Sequence, residues 1–419
     1  RVDENGNWRS FRHRNFRILF PANGLSNIGS WAQRIAQDWL VLELTNNNGY
    51  YLGLVTAIQF APFLFFTLHG GLLADRVNKR LALVVTNIFG GLSALVLGLL
   101  VIYGDVQLWH IFACAAVLGI SGAIDGPIRQ SFTSEIVGHS DLANAVSLNS
   151  ANFNAGRLVG PAISGFLIAH FGTGPSFIIN ATSYIAVNIA LLSMRESDFF
   201  IQEKKVTQGT VREGLQYALA RPDLYVVMMV VFFVATFGLN MQIFNALMAT
   251  QEFGKGPASY GLLGTFVAIG SFSGAIASAR LERFRKTRFV ILAGGAFAGA
   301  ILILSIMPNY TTYAIFLPIC GVTALTTMIT ANSIVQVNSD PAIRGRVMGI
   351  YLLIFMGGTP VGSPLIGVMA EVIGIRSTIA ACGAICLIST TVIWFKYKDR
   401  VDVPADISVD AVLKSANRN

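Results

Sequence analysis

Charge is what this chain has least of: 12% of its 419 residues are Asp, Glu, Lys or Arg, against 53% hydrophobic. Soluble domains average about twice that charged fraction. So little charge cannot cover a water-exposed surface, which excludes an ordinary soluble fold. Cysteine is scarce too. Cys114, Cys320, Cys382 and Cys386 all lie in apolar runs, and the spacing of the last two suits helix packing better than a metal knuckle, so they read as structural thiols. The five histidines, at 13, 69, 110, 139 and 170, are scattered without metal spacing. Also missing are a G-x-x-x-x-G-K-[ST] loop, a dinucleotide fingerprint and an H-E-x-x-H zinc motif. No catalytic site, metal or cofactor is therefore expected, and an ion gradient rather than bound ATP is the natural energy source.

Apolar length is what the chain has in excess. Twelve runs, each long enough to cross a bilayer as a helix, fall at about 17–44, 50–74, 81–103, 107–133, 143–170, 174–194, 223–249, 258–279, 289–307, 311–335, 347–372 and 376–396. Transmembrane β-strands would be shorter and alternating. Turn formers separate the runs, as at Asn46-Asn47-Asn48-Gly49, Gly172-Thr173-Gly174-Pro175 and Pro308-Asn309. The expectation is an all-α, multi-pass membrane protein with twelve transmembrane helices.

Lys and Arg set its orientation. With a cytoplasmic N-terminus, the outward connections hold only Lys255 and Arg376, while Arg34 and Arg157 lie within runs. The other twenty-six of the thirty basic residues fall on the cytoplasmic side. Both termini are then cytoplasmic and the protein belongs in the cell (inner or plasma) membrane. The net charge of +8 is a topology and lipid-headgroup signal, since no basic face with base-reading residues points to nucleic acid. The basic start (Arg9, Arg12, Arg14, Arg17) leads into a full-length span, so no cleavable signal is expected.

The polar stretch 195–222 divides six runs from six, giving expected bundles at 1–194 and 223–396 and a tail at 397–419. Its end, "VREGLQYALARPDL", has helical apolar spacing at Val211, Leu215, Tyr217 and Leu219, which predicts a surface helix against the inner leaflet. The halves resemble each other: "GPAISGFLIAHFG" (160–172) aligns with "GSPLIGVMAEVIG" (362–374) at an offset of 202. Repeats of six spans suggest a transporter in which two bundles rock about a central cavity.

Between runs two and three stands "GGLLADRVNKR" (70–80), in which Gly71, Asp75, Arg76, Lys79 and Arg80 resemble the loop signature of the major facilitator superfamily. Asn78 occupies the usual glycine, and asparagine tolerates a left-handed turn. Gly71 lets helices approach, Asp75 can cap the next helix, and the basic residues can meet headgroups or carboxylates. In that family an acid on span four joins the loop charges in an inner-gate latch, which the resemblance assigns to Asp125 against Arg76 or its neighbours. The local alternative pairs Asp125 with Arg129.

In span five, "NAGRLVGPAISG" (154–165) is similar to the superfamily's antiporter signature. Gly156, Gly160 and Ser164 form a small-residue groove, Pro161 bends the helix, and Gly165 closes the pattern. Ser147 and Ser164 stand where that signature has glycine. Arg157, with the opening phrase "RNFRILF…GSWAQRIAQDWLVL", resembles the branch of enterobactin and macrolide exporters. The resemblance implies the major facilitator fold, two six-helix bundles, and export by proton antiport.

Arg34 and Asp38 share one face of span one, where a charge needs a partner or a water-filled cavity. Asp38 either neutralises Arg34 or Arg157 and holds the span in place, or gains and loses a proton in each cycle, or binds a cationic substrate directly. Gln33, Gln37 and Trp31 make a polar stripe consistent with a cavity wall, which Asn23 and Asn27 continue toward the cytoplasm, and Asn27, Trp31 and Gln37 are candidate substrate-binding residues. Phe233, Phe237, Asn240 and Phe244 on span seven, with Met348, Tyr351 and Phe355 on span eleven, are candidate substrate-binding residues, because aromatic and Met-rich pockets accommodate bulky amphipathic compounds. Interhelical packing is the competing role for each. The function expected is a monomeric, proton-coupled exporter of drugs, macrolide-like compounds or siderophores, with protons and membrane lipids as its other partners. A lysophospholipid flippase, another permease of the same fold and a non-transporting membrane receptor are the alternatives.

Overall fold

The protein is described here from a computed structural model. It describes residues 8–200, 211–280, 286–340, 343–399 and 401, and the side chains of 67–76, 279 and 280 lie outside the described residues. Within that range the secondary structure is helical throughout, as a lipid environment demands, since an α-helix satisfies its own backbone polar groups. The helices are α1 (Arg14–Leu44), α2 (Gly49–Arg76), α3 (Lys79–Tyr103), α4 (Leu108–Phe171), α5 (Gly174–Leu192), α6 (Val211–Ala220) and α7 (Pro222–Phe233). They continue as α8 (Met241–Leu247), α9 (Pro257–Arg280), α10 (Thr287–Ser305), α11 (Tyr310–Asn338), α12 (Arg344–Ile373) and α13 (Ile375–Tyr397). Ten stretches among the described residues are long and apolar enough to cross a membrane. One of them, α4, is two helices joined where Gly138 leaves helical geometry (φ 69°, ψ 175°).

Three sequence expectations change in detail. Asn78 is not left-handed: at φ −67° it N-caps α3, its side chain accepting from Leu81 N at 3.1 Å, so the cap assigned to Asp75 belongs to Asn78. The seventh run is not one α-helix but α7, a π-helical turn at Val234–Gly238, α8, and a second π-turn at Met248–Glu252. The amide of Asn240 donates to Thr236 O at 2.8 Å, supporting the first irregular turn. The surface helix forms as α6. Its Gly214, Tyr217 and Ala218 side is buried, Gly214 against Arg346 of α12, and Val211, Leu215 and Leu219 remain exposed on the opposite side.

The chain divides into two compact units. The first comprises Arg1–Asn47, Phe65–Val206 and Lys255–Thr265, and the second Asn48–Leu64, Thr207–Gly254 and Phe266–Asn419. In the first unit α1 packs on the later part of α4, where a Cβ on Gly156 would lie 2.7 Å from Asn27 Cβ and one on Gly160 2.7 Å from Trp31 Cβ. The start of α9 packs on the other side of α4, with Gly261 against the carbonyl of Pro161 and Thr265 Oγ1 donating to Leu158 O at 3.1 Å. In the second unit the start of α2 lies on α12, Gly53 against Ser363, and α12 in turn presses Gly358 and Gly362 onto Thr236.

One charged cluster ties the N-terminal segment to the turn that follows Gly138. Asp141 is buried and meets Arg12 Nη2 and His13 Nε2, both at 2.7 Å, with Arg9 Nε at 3.5 Å. Burial alone would raise its pKa, but the hydrogen bonds of His13 and Arg12 and the Arg12 charge outweigh it and hold the carboxyl below its usual range. A carboxylate held low in this way stabilises the fold fully above about pH 4 and loses that contribution as the pH falls further. Asp141→Asn should therefore cost about 1–2 kcal/mol at neutral pH, the solvated arginines limiting the loss. Thermal unfolding in detergent should show the gap between parent and variant closing below about pH 4.

Candidate functional site

The loop signature lies at the end of α2 and the start of α3. Gly71 and the side chains of Asp75 and Arg76 are outside the described residues. Lys79 Nζ reaches Glu135 Oε1 at 2.5 Å. Arg80 turns to the C-terminus of α5, donating to Leu191 O at 2.8 Å and Leu192 O at 2.6 Å, with Glu196 at 3.1 Å. The carbonyls at a helix end lack intrahelical donors and carry the negative end of its dipole, so a guanidinium there is a cap. The second half repeats the device: Arg288 at the start of α10 donates to Lys398 O, just past α13, at 2.6 Å, with Asp399 at 4.0 Å.

Asp125 and Arg129, on the first part of α4, close on each other. Arg129 Nε and Nη2 donate to the two carboxylate oxygens at 2.6 and 2.8 Å, and its Nη1 donates to Asn23 Oδ1 at 2.8 Å. Thr86 Oγ1 adds a bond to Asp125 Oδ2 at 3.2 Å. The local pair is thus formed, while Arg76, the latch partner assigned by resemblance, falls outside the described side chains.

The span-five residues have separate roles. Gly156 and Gly160 face α1, while Pro161 and Gly165 face the start of α9, where Gly165 lies against Pro257, Ala258 and Gly261. Arg157 projects from the strip between these faces, since successive helical residues turn by about 100°. Its Nε and Nη2 are buried and unpartnered. A side chain at Gly160 would meet Ile28 O at 2.9 Å and Ala32 N at 3.1 Å as well as Trp31. Gly160→Leu should therefore force α1 from α4 and abolish transport. The measurement is efflux from an expressing strain alongside the amount of protein in its membrane; normal efflux at normal levels would contradict the packing.

Asp38 is the most enclosed charge of α1, at 2% exposure. Arg34 Nε is 4.0 Å from Asp38 Oδ2, and Tyr260 Oη donates to that same oxygen at 2.9 Å. Asp38 Oδ1 is buried with no hydrogen-bond partner. Trp39 stacks on Tyr260 at a centroid distance of 6.4 Å. Nothing in the sequence signals Tyr260, because its partner lies 222 positions away.

The candidate substrate-binding residues divide. Gln33 and Gln37, expected on a cavity wall, are buried, and Gln33 Oε1 accepts from Asn180 at 2.6 Å. Asn27 lies against Gly156. Trp31 is half-buried and meets Phe153, which sequence reasoning passed over, edge-on at 5.8 Å. In the second unit Phe233 and Phe237 are half-buried, Asn240 is buried with its Oδ1 unpartnered, and Phe244 is core. Tyr351 is buried and stacks with the half-buried Phe355 at 6.3 Å, while its hydroxyl donates to Met328 O at 3.3 Å. The four cysteines are free and buried.

Known proteins resemble the chain over nearly its whole length. The staphyloferrin A transporter of Staphylococcus aureus (strain NCTC 8325 / PS 47) is 22% identical over 90% of this chain and 95% of its own. The multidrug efflux pump Tap of Mycolicibacterium fortuitum is 25% identical over 87% and 91%, and the enterobactin exporter EntS of Shigella flexneri 21% over 85% of each. Among solved structures, a bacterial homolog of the human lysosomal transporter Spinster, inward-facing and occupied, superposes with a TM-score of 0.72 at 16% identity, covering 93% of this chain and 97% of that one. A D-xylose–proton symporter gives 0.73 at 12% identity over 90% and 97%. Residues 5–412 match the family described as transmembrane secretion effector. The chain is accordingly a multi-pass membrane transporter, not an enzyme, and it belongs to the transmembrane secretion effector family of the major facilitator superfamily.

Proposed function

We propose that the chain is a secondary active exporter that moves bulky amphipathic small molecules, such as drugs, macrolide-like compounds or siderophores, out of the cell by proton antiport with alternating access. In this reading a monomer crosses the inner membrane twelve times, with bundles 1–194 and 223–396 joined by the 195–222 linker and both termini and the 397–419 tail in the cytoplasm. That Tap is an efflux pump and EntS an exporter supports the outward direction.

The observation that carries the coupling is the setting of Asp38. Its carboxylate is enclosed, its guanidinium partner stands at the limit of ion-pair distance, and one oxygen is unfilled. A proton on Asp38 removes the charge that Arg34 faces and weakens the bond from Tyr260, because a hydroxyl donates more strongly to a carboxylate than to a carboxylic acid. Tyr260 lies in the Pro257–Thr265 stretch, which comes from the second half of the sequence yet packs within the first unit. Protonation therefore loosens that stretch, and this is the physical content of coupling. The gate residues Gly71, Asp75, Arg76, Lys79, Arg80, Asp125 and Arg129 set the cytoplasmic end. Phe233, Phe237, Asn240, Tyr351 and Phe355 contribute the substrate surface of the second unit.

Asp38→Asn tests the reading in reconstituted vesicles. Efflux driven by a pH gradient should vanish, while exchange of labelled for unlabelled substrate, which needs no net proton release, survives. If Asp38 were only a counter-charge, the variant would remove the interior carboxylate that Arg34 faces, a loss of about 3–5 kcal/mol. It would then accumulate poorly and be rescued by neutralising Arg34. Tyr260→Phe removes a charge-assisted hydrogen bond worth about 1.5–3 kcal/mol and should slow pH-driven efflux about tenfold or more, with exchange preserved.

A further inference from the structure

Among the described residues of the first unit, Arg157 is a cation without a counter-charge. The unit's described interior carboxylates are already engaged: Asp125 by Arg129, Glu135 by Lys79, Asp141 by Arg9, Arg12 and His13, and Asp38 by Arg34 and Tyr260. Asp38 is also far away. Gly156 abuts Asn27 and Gly160 abuts Trp31, so α1 and this part of α4 run in parallel with a fixed offset. That register puts Asp38 about ten positions beyond Arg157, roughly 15 Å at the helical rise of 1.5 Å per residue.

The two unpartnered nitrogens, Nε and Nη2, form one edge of the guanidinium. Along that edge two parallel N–H groups match the two oxygens of a carboxylate. Burying such a group without an acceptor is costly, which makes its retention informative. Phe153 stands one turn earlier on the same strip, is 46% exposed, and meets the Trp31 ring edge-on. A charged fork and an accessible aromatic pair thus sit side by side within one unit.

We propose that Arg157, Phe153 and Trp31 form an oxyanion subsite for the transported molecule, whose substrate class is an amphipathic compound bearing a carboxylate. The carboxylate oxygens bond to Nε and Nη2, and the adjoining apolar group lies on the Phe153–Trp31 pair. The inference rests on the exporter reading above but not on its coupling residue. A lipid phosphate offers the same oxyanion chemistry, and the test separates the two sources.

The full chain in phosphatidylcholine nanodiscs is titrated with dansyl-phenylalanine and with its uncharged carboxamide, read by dansyl fluorescence. The parent should bind the acid about ten- to a hundredfold more tightly than the amide, the range of a charge-assisted hydrogen bond. Arg157→Gln should bring acid affinity down to that of the amide, Arg157→Lys should fall between, and Phe153→Ala should weaken both ligands. Should Arg157→Gln fail to accumulate, the lysine variant decides, since charge without the fork must lose part of the preference. Equal binding of acid and amide by the parent, no binding of the acid, or an unchanged preference in the variants would overturn the proposal. So would loss of the preference in phosphatidylglycerol nanodiscs at about 0.5 M salt, where surface repulsion of the acid is screened and the phosphodiester, free of choline's ammonium, competes for the fork. Asp38→Asn should keep the preference, so a failure of coupling and a failure of this subsite give different results.

Discussion

Close approach of helix backbones is the constraint on which the rest of the structure depends. In lipid no hydrophobic force drives one apolar helix onto another, so contact distance supplies the attraction, and small residues set that distance. Gly160 seats α4 on α1 at Trp31, and its neighbour Pro161 offers the carbonyl on which Gly261 seats the start of α9. Tyr260, adjacent to Gly261, then closes the triangle by reaching Asp38 of α1. A bulkier residue at either glycine would displace the hydroxyl from the carboxylate, and with it the link from a buried charge to the start of α9.

Ten stretches long and apolar enough to cross a membrane were legible because hydrocarbon thickness imposes a length, and the breaks because turn residues are few: Asn46 and Asn47 do adopt positive φ. The small-residue groove at Gly156 and Gly160 was legible from spacing alone. Tyr260 was not, since its role depends on a partner 222 residues away. Phe153 carries no signal in the sequence, because an aromatic in a membrane helix is ordinarily packing. The irregular seventh span was hidden for a different reason. Its turn at Val234–Gly238 is shaped by α12, whose Gly358 and Gly362 crowd Thr236, and no local propensity records that contact.

Basic residues of the loop signature show how a motif can be legible while its chemistry is not. Arg80 reads as a headgroup or gate contact, yet it completes the carbonyl end of α5. Arg288 does the same beyond α13, although the second half lacks the Asp-Arg order of the first. What the repeat retains is the helix cap, a requirement of any helix whose end meets the membrane surface.

Order along the helix explains why the two acid–base pairs of the first unit differ. In Asp125–Arg129 the acid precedes the base, the favourable i, i+4 arrangement, and the guanidinium grips both oxygens at 2.6 and 2.8 Å. In Arg34–Asp38 the base comes first, and the contact stretches to 4.0 Å. The tight pair has little left to offer a proton or a partner. The loose pair leaves Asp38 one oxygen for Tyr260 and another with none. Arg157 continues the series with no acid among the described residues. Satisfaction thus falls from Asp125–Arg129 through Arg34–Asp38 to Arg157, and capacity for chemistry rises in the same order. A buried group can exchange its partner for a proton or a substrate only where the fold has left that partner incomplete.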